Sequence, residues 1–441
     1  MAGLCSTPNQ MKDWSQLPQE LIVLIAKTLK ARFDVIRFRS VCSSWRSSVT
    51  PKVVPFPVYL PPITQESQVH IVRNTFYLIR LPTGNQTQAP DCWLVRTRDG
   101  AANKMRLLNP LSDSKLSPLP DNFPKVLDLM NFQVLELGHE YIGEYNAYFD
   151  HPIEPRDLDF SKKIVLLRAS ADSNDLMIIA YSSRSPGFLR SGEKEWIVLE
   201  NVKGIEDIVS FNGKFYAIDQ EGTTIVIDQS LNVSFVGRVS SGSGSGYRPD
   251  RNKVSKVLVK SGDKLLAVEK LCSPYTESPS IFGSSIHFRV FSMNEEEQKW
   301  DEIESLGDRI LFLSSRQAIS APCWGRGNLI FCSNRLCTGR DYTFVFVFDL
   351  ETGAASLLEN WPAYCNLFWP PPQWATSLES VISTEVLTNY THSVTSPEIE
   401  YDRSESDLTI SSTANLPRRV TSAGKKVGTP SSKCSFKFCC F

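Results

Sequence analysis

The sequence predicts an α+β chain of several parts: a small helical module near its start, a long all-β region after it, and a disordered tail. Three observations carry this. Apolar residues recur at helical spacing only within about 13–50, short β-rich runs broken by turn residues fill 51–376, and apolar patterning fades over 377–441. Residues 1–12 lie outside every pattern and are expected to be disordered. At 441 residues the chain exceeds what one core organises, so a small and a larger domain are expected.

The helical module begins at Leu17-Pro18-Gln19-Glu20-Leu21. Pro18 suits the first turn of a helix, where its missing N–H is not needed and its φ is already helical. That helix is expected to run to about Lys30. Leu21, Ile22, Ile25 and Leu29 form one apolar stripe along it, with Gln19, Lys27 and Lys30 facing away. Asp34 is placed to cap a second helix carrying Val35, Ile36, Phe38 and Val41. Trp45 falls just beyond that helix, where a large aromatic closes a three-helix cluster.

After Pro51 the runs shorten to five to eight residues rich in Val, Ile, Phe, Tyr and Leu, and a weak repeat emerges. Phe211-Asn212-Gly213-Lys214-Phe215-Tyr216 leads through a Glu221-Gly222 turn to Thr224–Asp228. Gly262-Asp263-Lys264 and Gly325-Arg326-Gly327-Asn328 open two further copies. The intervals between Gly213, Gly262 and Gly327 are 49 and 65 residues, close to one four-stranded propeller blade each. Phe76–Leu81, Cys92–Val95, Lys104–Pro110, Lys163–Leu167 and Leu176–Tyr181 fit the same scheme. The roughly 320 residues available hold about six or seven blades at the usual repeat length. A β-sandwich is the competing architecture.

Two resemblances rest on these residues. L-P-x-E-L at Leu17–Leu21, then Asp34-Val35-Ile36-Arg37-Phe38-Arg39, then Val41-Cys42 with Trp45-Arg46, resembles an F-box. That is the module by which a receptor subunit docks onto the Skp adaptor of a cullin-RING ubiquitin ligase. It implies that Leu17, Pro18, Leu21, Ile22, Ile25, Val41 and Trp45 carry the docking. A module of this size buries little core alone, which suits apolar positions left for a partner.

Trp196-Ile197-Val198, Ile205–Val209, Gly213–Ala217, Leu306-Gly307-Asp308-Arg309-Ile310-Leu311-Phe312-Leu313 and Pro370-Pro371-Pro372-Gln373-Trp374 resemble the KIB-type C-terminal domain of plant Skp-interacting F-box proteins. This implies a propeller holding a target protein for ubiquitin transfer. It further implies partnership with Skp, through it with a cullin, and no catalysis by this chain. A propeller scaffold without ligase activity is the alternative.

Composition excludes several classes. Lys and Arg total 47 against 48 Asp and Glu, a net charge of −1 that gives no electrostatic reason for general nucleic-acid binding. No charged-then-apolar leader occupies Met1–Gln10 and no apolar run is long enough to span a bilayer, so the nucleus or cytoplasm is the expected location. The 11 cysteines are odd in number and scattered, which favours reduced thiols. The glycosylation-like triplets at Asn85, Asn232 and Asn389 then carry no information.

For enzyme chemistry the sequence offers little. His70, His139, His151, His287 and His392 show no metal or triad spacing, and Cys332 and Cys337 lack a second pair and read as strand thiols. Gly242–Gly246 lacks the lysine and following helix of a phosphate cradle and reads as a loop. Glu206 and Asp207 point to opposite faces of a strand and read as rim carboxylates. No cofactor or metal is expected.

In the tail, Arg418, Arg419, Lys425, Lys426, Lys433 and Lys437 approach Cys434, Cys439 and Cys440. Acylation there beside a basic patch would anchor the chain to a membrane, the lesser of the readings for this segment because residue 438 is Phe and no prenylation box is present.

Overall fold

The structure is a computed structural model describing residues 14–29, 32–49, 58–61, 69–80, 92–99, 105–111, 132–145, 163–169, 175–181, 185–239, 253–272, 286–314, 316–323, 325–333, 345–368 and 372, with short strands at 398–402, 407–411 and 434–437. The Gly242–Gly246 run, Cys337, Cys439, Cys440, His151 and His392 lie outside the described residues.

Three helices open the chain: α1 (Gln19–Thr28), α2 (Arg32–Ser40) and α3 (Ser43–Ser48), preceded by a 3-10 turn at Trp14–Gln16. Pro18 stands just before α1, and its carbonyl accepts the N–H groups of Leu21 and Ile22, both at 3.1 Å. The second helix starts at Arg32 and not at a cap on Asp34. Asp34 instead lies in the first turn, where a carboxylate suits the helix dipole, and pairs with Arg37 at 3.7 Å. Trp45 belongs to α3.

The remainder is the β-propeller that the repeat predicts, its described strands grouped in five blades, of which the first two are joined at the single pair Tyr141 and Ile164. The first holds β1 (Val58–Leu60), β2 (Val69–Arg80), β3 (Cys92–Asp99), β4 (Met105–Leu108) and β5 (Gln133–Tyr145) in the order β4-β3-β2-β5, with β1 on the flank of β2. The second is β6 (Lys163–Arg168), β7 (Leu176–Tyr181), β8 (Gly187–Arg190) and β9 (Ile197–Val198). The third is β10 (Ile205–Phe211), β11 (Lys214–Asp219), β12 (Thr223–Ile227) and β13 (Val233–Arg238). The fourth is β14 (Lys253–Ser261), β15 (Lys264–Cys272), β16 (Ile286–Asn294) and β17 (Lys299–Ile303). The fifth is β18 (Arg309–Leu313), β19 (Ala318–Pro322), β20 (Leu329–Ser333), β21 (Val345–Asp349) and β22 (Ala354–Leu357).

The strands β5, β6, β10, β14 and β19 neighbour one another in a closed ring. Among the described residues each gap between adjacent blades is filled by its own apolar cluster, so separate cores and not a single one hold the ring together. Among the described residues the strands group into five blades. β2 and β5 are long strands, of 12 and 13 residues.

The hairpins follow their turn residues. Asn212 and Gly213, with φ of 45° and 74°, make the turn between β10 and β11. Gly327 does not repeat the roles of Gly213 and Gly262. It lies ahead of β20 against the backbone of Gly307, and a Cβ there would collide with the Gly307 carbonyl. The segment from Leu306 to Leu313 supplies β18, which inserts between β19 and β20 and runs parallel to β20. The fifth blade therefore has five strands.

Charge is buried between blades. Lys163 on β6 donates to Asp207 Oδ1 on β10 at 2.7 Å, and Asp207 Oδ2 accepts the backbone N–H of Leu258 on β14, also at 2.7 Å. Asp207 is thus a buried tie across three blades and not the rim carboxylate expected, and a register shift between Ile205 and Asp207 interrupts the strand alternation at Glu206. Within the fourth blade Lys256, Glu269, Arg289 and Glu302 alternate in sign across its four strands. Tyr181 donates to the Glu206 carbonyl at 2.8 Å, and burial pushes its phenol well above the ordinary range.

Beyond residue 372 the described backbone consists of β23 (Glu398–Asp402), β24 (Asp407–Ser411) and β25 (Cys434–Lys437). They pair with one another, and β24 meets β4 at the single pair Thr409 and Arg106. Cys434 starts the last of these strands.

Candidate docking surface

Helix α1 is apolar nearly all round from Leu21 to Ala26, the pattern of a helix covered from two sides. One side is covered within the chain. Ile22, Phe38 and Trp45 form the module's core, backed by Leu17, Ala26, Leu29, Cys42 and Val49. The Phe38 and Trp45 rings lie 4.5 Å apart, and the Trp45 indole N–H donates to the Trp14 carbonyl at 3.2 Å. Gln19 joins α1 to α3 through Ser44 and Ser48. Arg39 donates to the carbonyls of Arg46 and Val49, with its pKa lowered by burial and then by Arg46.

The other side of α1 is exposed among the described residues. Leu21 is 47 % exposed, Leu24 58 % and Ile25 38 %, and beside them stand Trp14 and Val41 together with exposed Pro18. Isolated exposed apolar residues are ordinary, but five large ones on one small module are a candidate for protein contact. The seven residues expected to dock therefore divide. Pro18, Leu21, Ile25 and Val41 face outward, and Leu17 is half-buried. Ile22 and Trp45 are inside and shape the surface from behind, because neighbours in a helix point about 100° apart. Trp14 and Leu24 are the outward residues that the sequence reading missed. Leu24 had a signal, standing three residues after Leu21 on the same face, whereas Trp14 precedes any periodic pattern.

The module is seated on the propeller. Arg37 of α2 donates to the carbonyl of Phe132, at the start of β5, at 2.9 Å. The exposed large hydrophobics of the blades, Tyr59, Ile197, Val198, Val233 and Phe235, lie on β1, β9 and β13 of the first three blades. Among the described residues no group of His, Cys, Asp and Glu is gathered to hold a metal, and no helix is long and apolar enough to cross a membrane. His70 sits 3.7 Å from Glu144, His139 3.2 Å from Glu136, and His287 packs against Phe348.

A three-helix module with an exposed apolar face, joined to a propeller, is the arrangement of a protein-binding type of protein. Residues 14–54 match the F-box domain and residues 67–349 match the KIB1-4 beta-propeller. The chain belongs to the KIB1-4 beta-propeller family and carries an F-box. It is 30 % identical over 406 residues to the F-box protein SKIP23 of Arabidopsis thaliana, covering 83 % of this chain and 96 % of that one. It is 31 % identical over 415 residues to the F-box protein At2g17036 of the same plant, covering 86 % and 98 %. The N-terminal domain of Nup159 is similar over 68 % of this chain and 97 % of that one, with a TM-score of 0.25 and 10 % identity. F-box proteins are in general the substrate-recognition subunits of SCF ubiquitin ligases, and non-catalytic.

Proposed function

We propose that this chain is the substrate receptor of an SCF-type ubiquitin ligase, docking a Skp adaptor through Pro18, Leu21, Leu24, Ile25, Val41 and Trp14 and presenting a target protein on its propeller. The observation that carries this is the exposed apolar side of α1. The mechanism is proximity. The adaptor and cullin bring charged ubiquitin to a target held by the blades, raising the effective concentration of the two reactants without a reacting group from this chain. The contact between Arg37 and Phe132 holds the docking module against the first blade, which favours a fixed separation between adaptor and target.

Co-purification of the full chain with a Skp adaptor and cullin, beside Leu21→Asp/Leu24→Asp, tests this. Both substitutions lie outside the module's core and should leave the fold intact. A charge in a buried contact of this kind costs about 2 kcal/mol or more, so binding should weaken at least about thirtyfold. If the unaltered chain captures neither adaptor nor cullin, the receptor function is wrong and the propeller is a free-standing binding module.

A further inference from the structure

The boundary between the fourth and fifth blades holds an amine and a thiol side by side. Lys270 on β15 and Cys332 on β20 are 3 % and 0 % exposed, and Cys332 shares an apolar cluster with Val268, Phe288, Phe346 and Phe348. Lys270 Nζ donates to Cys332 Sγ at 3.2 Å, and Sγ lies 3.4 Å from the Ser333 carbonyl. Cys332 forms no disulfide. Neither residue belongs to the docking surface.

We propose that Lys270 and Cys332 are an oxidative modification site, at which hydrogen peroxide drives a sulfenamide bond between Lys270 Nζ and Cys332 Sγ. In the first step the thiol attacks peroxide. An S–O bond forms, the O–O bond breaks, and one water leaves with a sulfenic acid remaining on Cys332. In the second step the Lys270 amine attacks that sulfur. The S–N bond forms, the S–O bond breaks, and the oxygen leaves as a second water carrying the proton released by nitrogen. One thiol, one amine and one peroxide yield the link and two waters, and the peroxide takes up the two electrons that sulfur loses.

Burial selects this outcome. A sulfenic acid is ordinarily captured by another thiol, but a residue with no exposed surface excludes a partner the size of glutathione while admitting an oxidant little larger than water. A nucleophile already held beside that sulfur is the lysine, at 3.2 Å. The product adds a covalent tie to two blades already joined by packing and by the hydrogen bond between Ser261 and Ser320 at 2.8 Å, so peroxide would stiffen the ring at this seam.

Peptide mapping by mass spectrometry of the full chain, digested without reductant after peroxide treatment, decides the matter. The expected product is a cross-linked pair of peptides carrying Lys270 and Cys332, lighter by two hydrogens than their sum, absent before treatment and separated again by a thiol reductant. Cys332→Ser should abolish it, and Lys270→Arg should let Cys332 advance to the sulfinic acid. The unaltered chain is itself informative should either variant fail to fold. If its Cys332 remains a thiol, or reaches sulfinic acid while Lys270 is still cleaved by trypsin, the proposal is overturned.

Discussion

Asp207 is where one substitution should do most damage. Its two oxygens serve two blades besides its own: Oδ1 takes the ammonium of Lys163 and Oδ2 the N–H of Leu258. Both ionised side chains are 7 % exposed, so Asp207→Ala strands a buried cation, which costs about 3–5 kcal/mol. It also orphans a buried N–H, worth about 1–3 kcal/mol more, although the two losses overlap. A total of about 5 kcal/mol, at about 2 °C per kcal/mol for a domain of this size, lowers Tm by roughly 10 °C. Differential scanning calorimetry of the full chain is the assay, with Asp301→Ala as reference. Asp301 pairs with Lys299 at 3.4 Å in the open, and its loss should cost under about 1 kcal/mol. Asp207→Leu combined with Lys163→Met should recover much of the stability, since no charge is then left unpaired. A Tm for Asp207→Ala indistinguishable from the Asp301→Ala value would refute the reasoning.

Glu269→Ala should destabilise by about 3 kcal/mol in chemical denaturation, because Lys256 loses its carboxylate inside the fourth blade while Arg289 retains Glu302. Glu269→Gln should cost less, and equal losses would argue against charge as the cause. Tyr216 donates to Glu295 at 3.3 Å, and burial followed by that carboxylate pushes its phenol up to about 12. The folded chain therefore holds this proton more tightly than the unfolded one, whose tyrosine titrates near about 10. The stability involved is whole below about pH 10 and is lost as pH climbs toward about 12. Tyr216→Phe should flatten that part of the unfolding free energy measured against pH, and an unchanged slope would count against it. A chain ending at Asn360 should keep adaptor binding yet lose cooperative unfolding of the blades, seen as a broadened calorimetric transition.

What the sequence exposed was local. Asn212-Gly213 is turn chemistry complete in two residues, and L-P-x-E-L fixes where α1 begins. What it hid depends on partners far along the chain. Alternation tells which residues of β10 share a face, but not that Asp207 meets a lysine 44 residues earlier and an amide 51 residues later. Helical spacing likewise marks Leu21, Ile22 and Ile25 as apolar without saying that Ile22 turns inward. Gly327 looked like a third repeat glycine because its neighbours are similar. Its actual constraint, the Gly307 backbone, arises from the insertion of β18, which no period in the sequence announces.

The ring is shut by residues from its two ends. Phe76, Leu78 and Leu94 of the first blade share a core with Phe312 and Phe331 of the last, and Tyr364, Leu367 and Phe368, in and just after a short 3-10 helix, lie in the same cluster. Phe331 meets the rings of Tyr364 and Phe368 at 5.5 and 5.8 Å. Such contacts form only after nearly the whole chain has been made, and joining distant segments is slow. The helices of the docking module depend on contacts within some thirty-five residues and can be complete long before. During synthesis the handle would be ready while the wheel is still open. An adaptor able to grip that handle would then be holding a chain whose first blade, tied to it by Arg37, still exposes the apolar face reserved for the last.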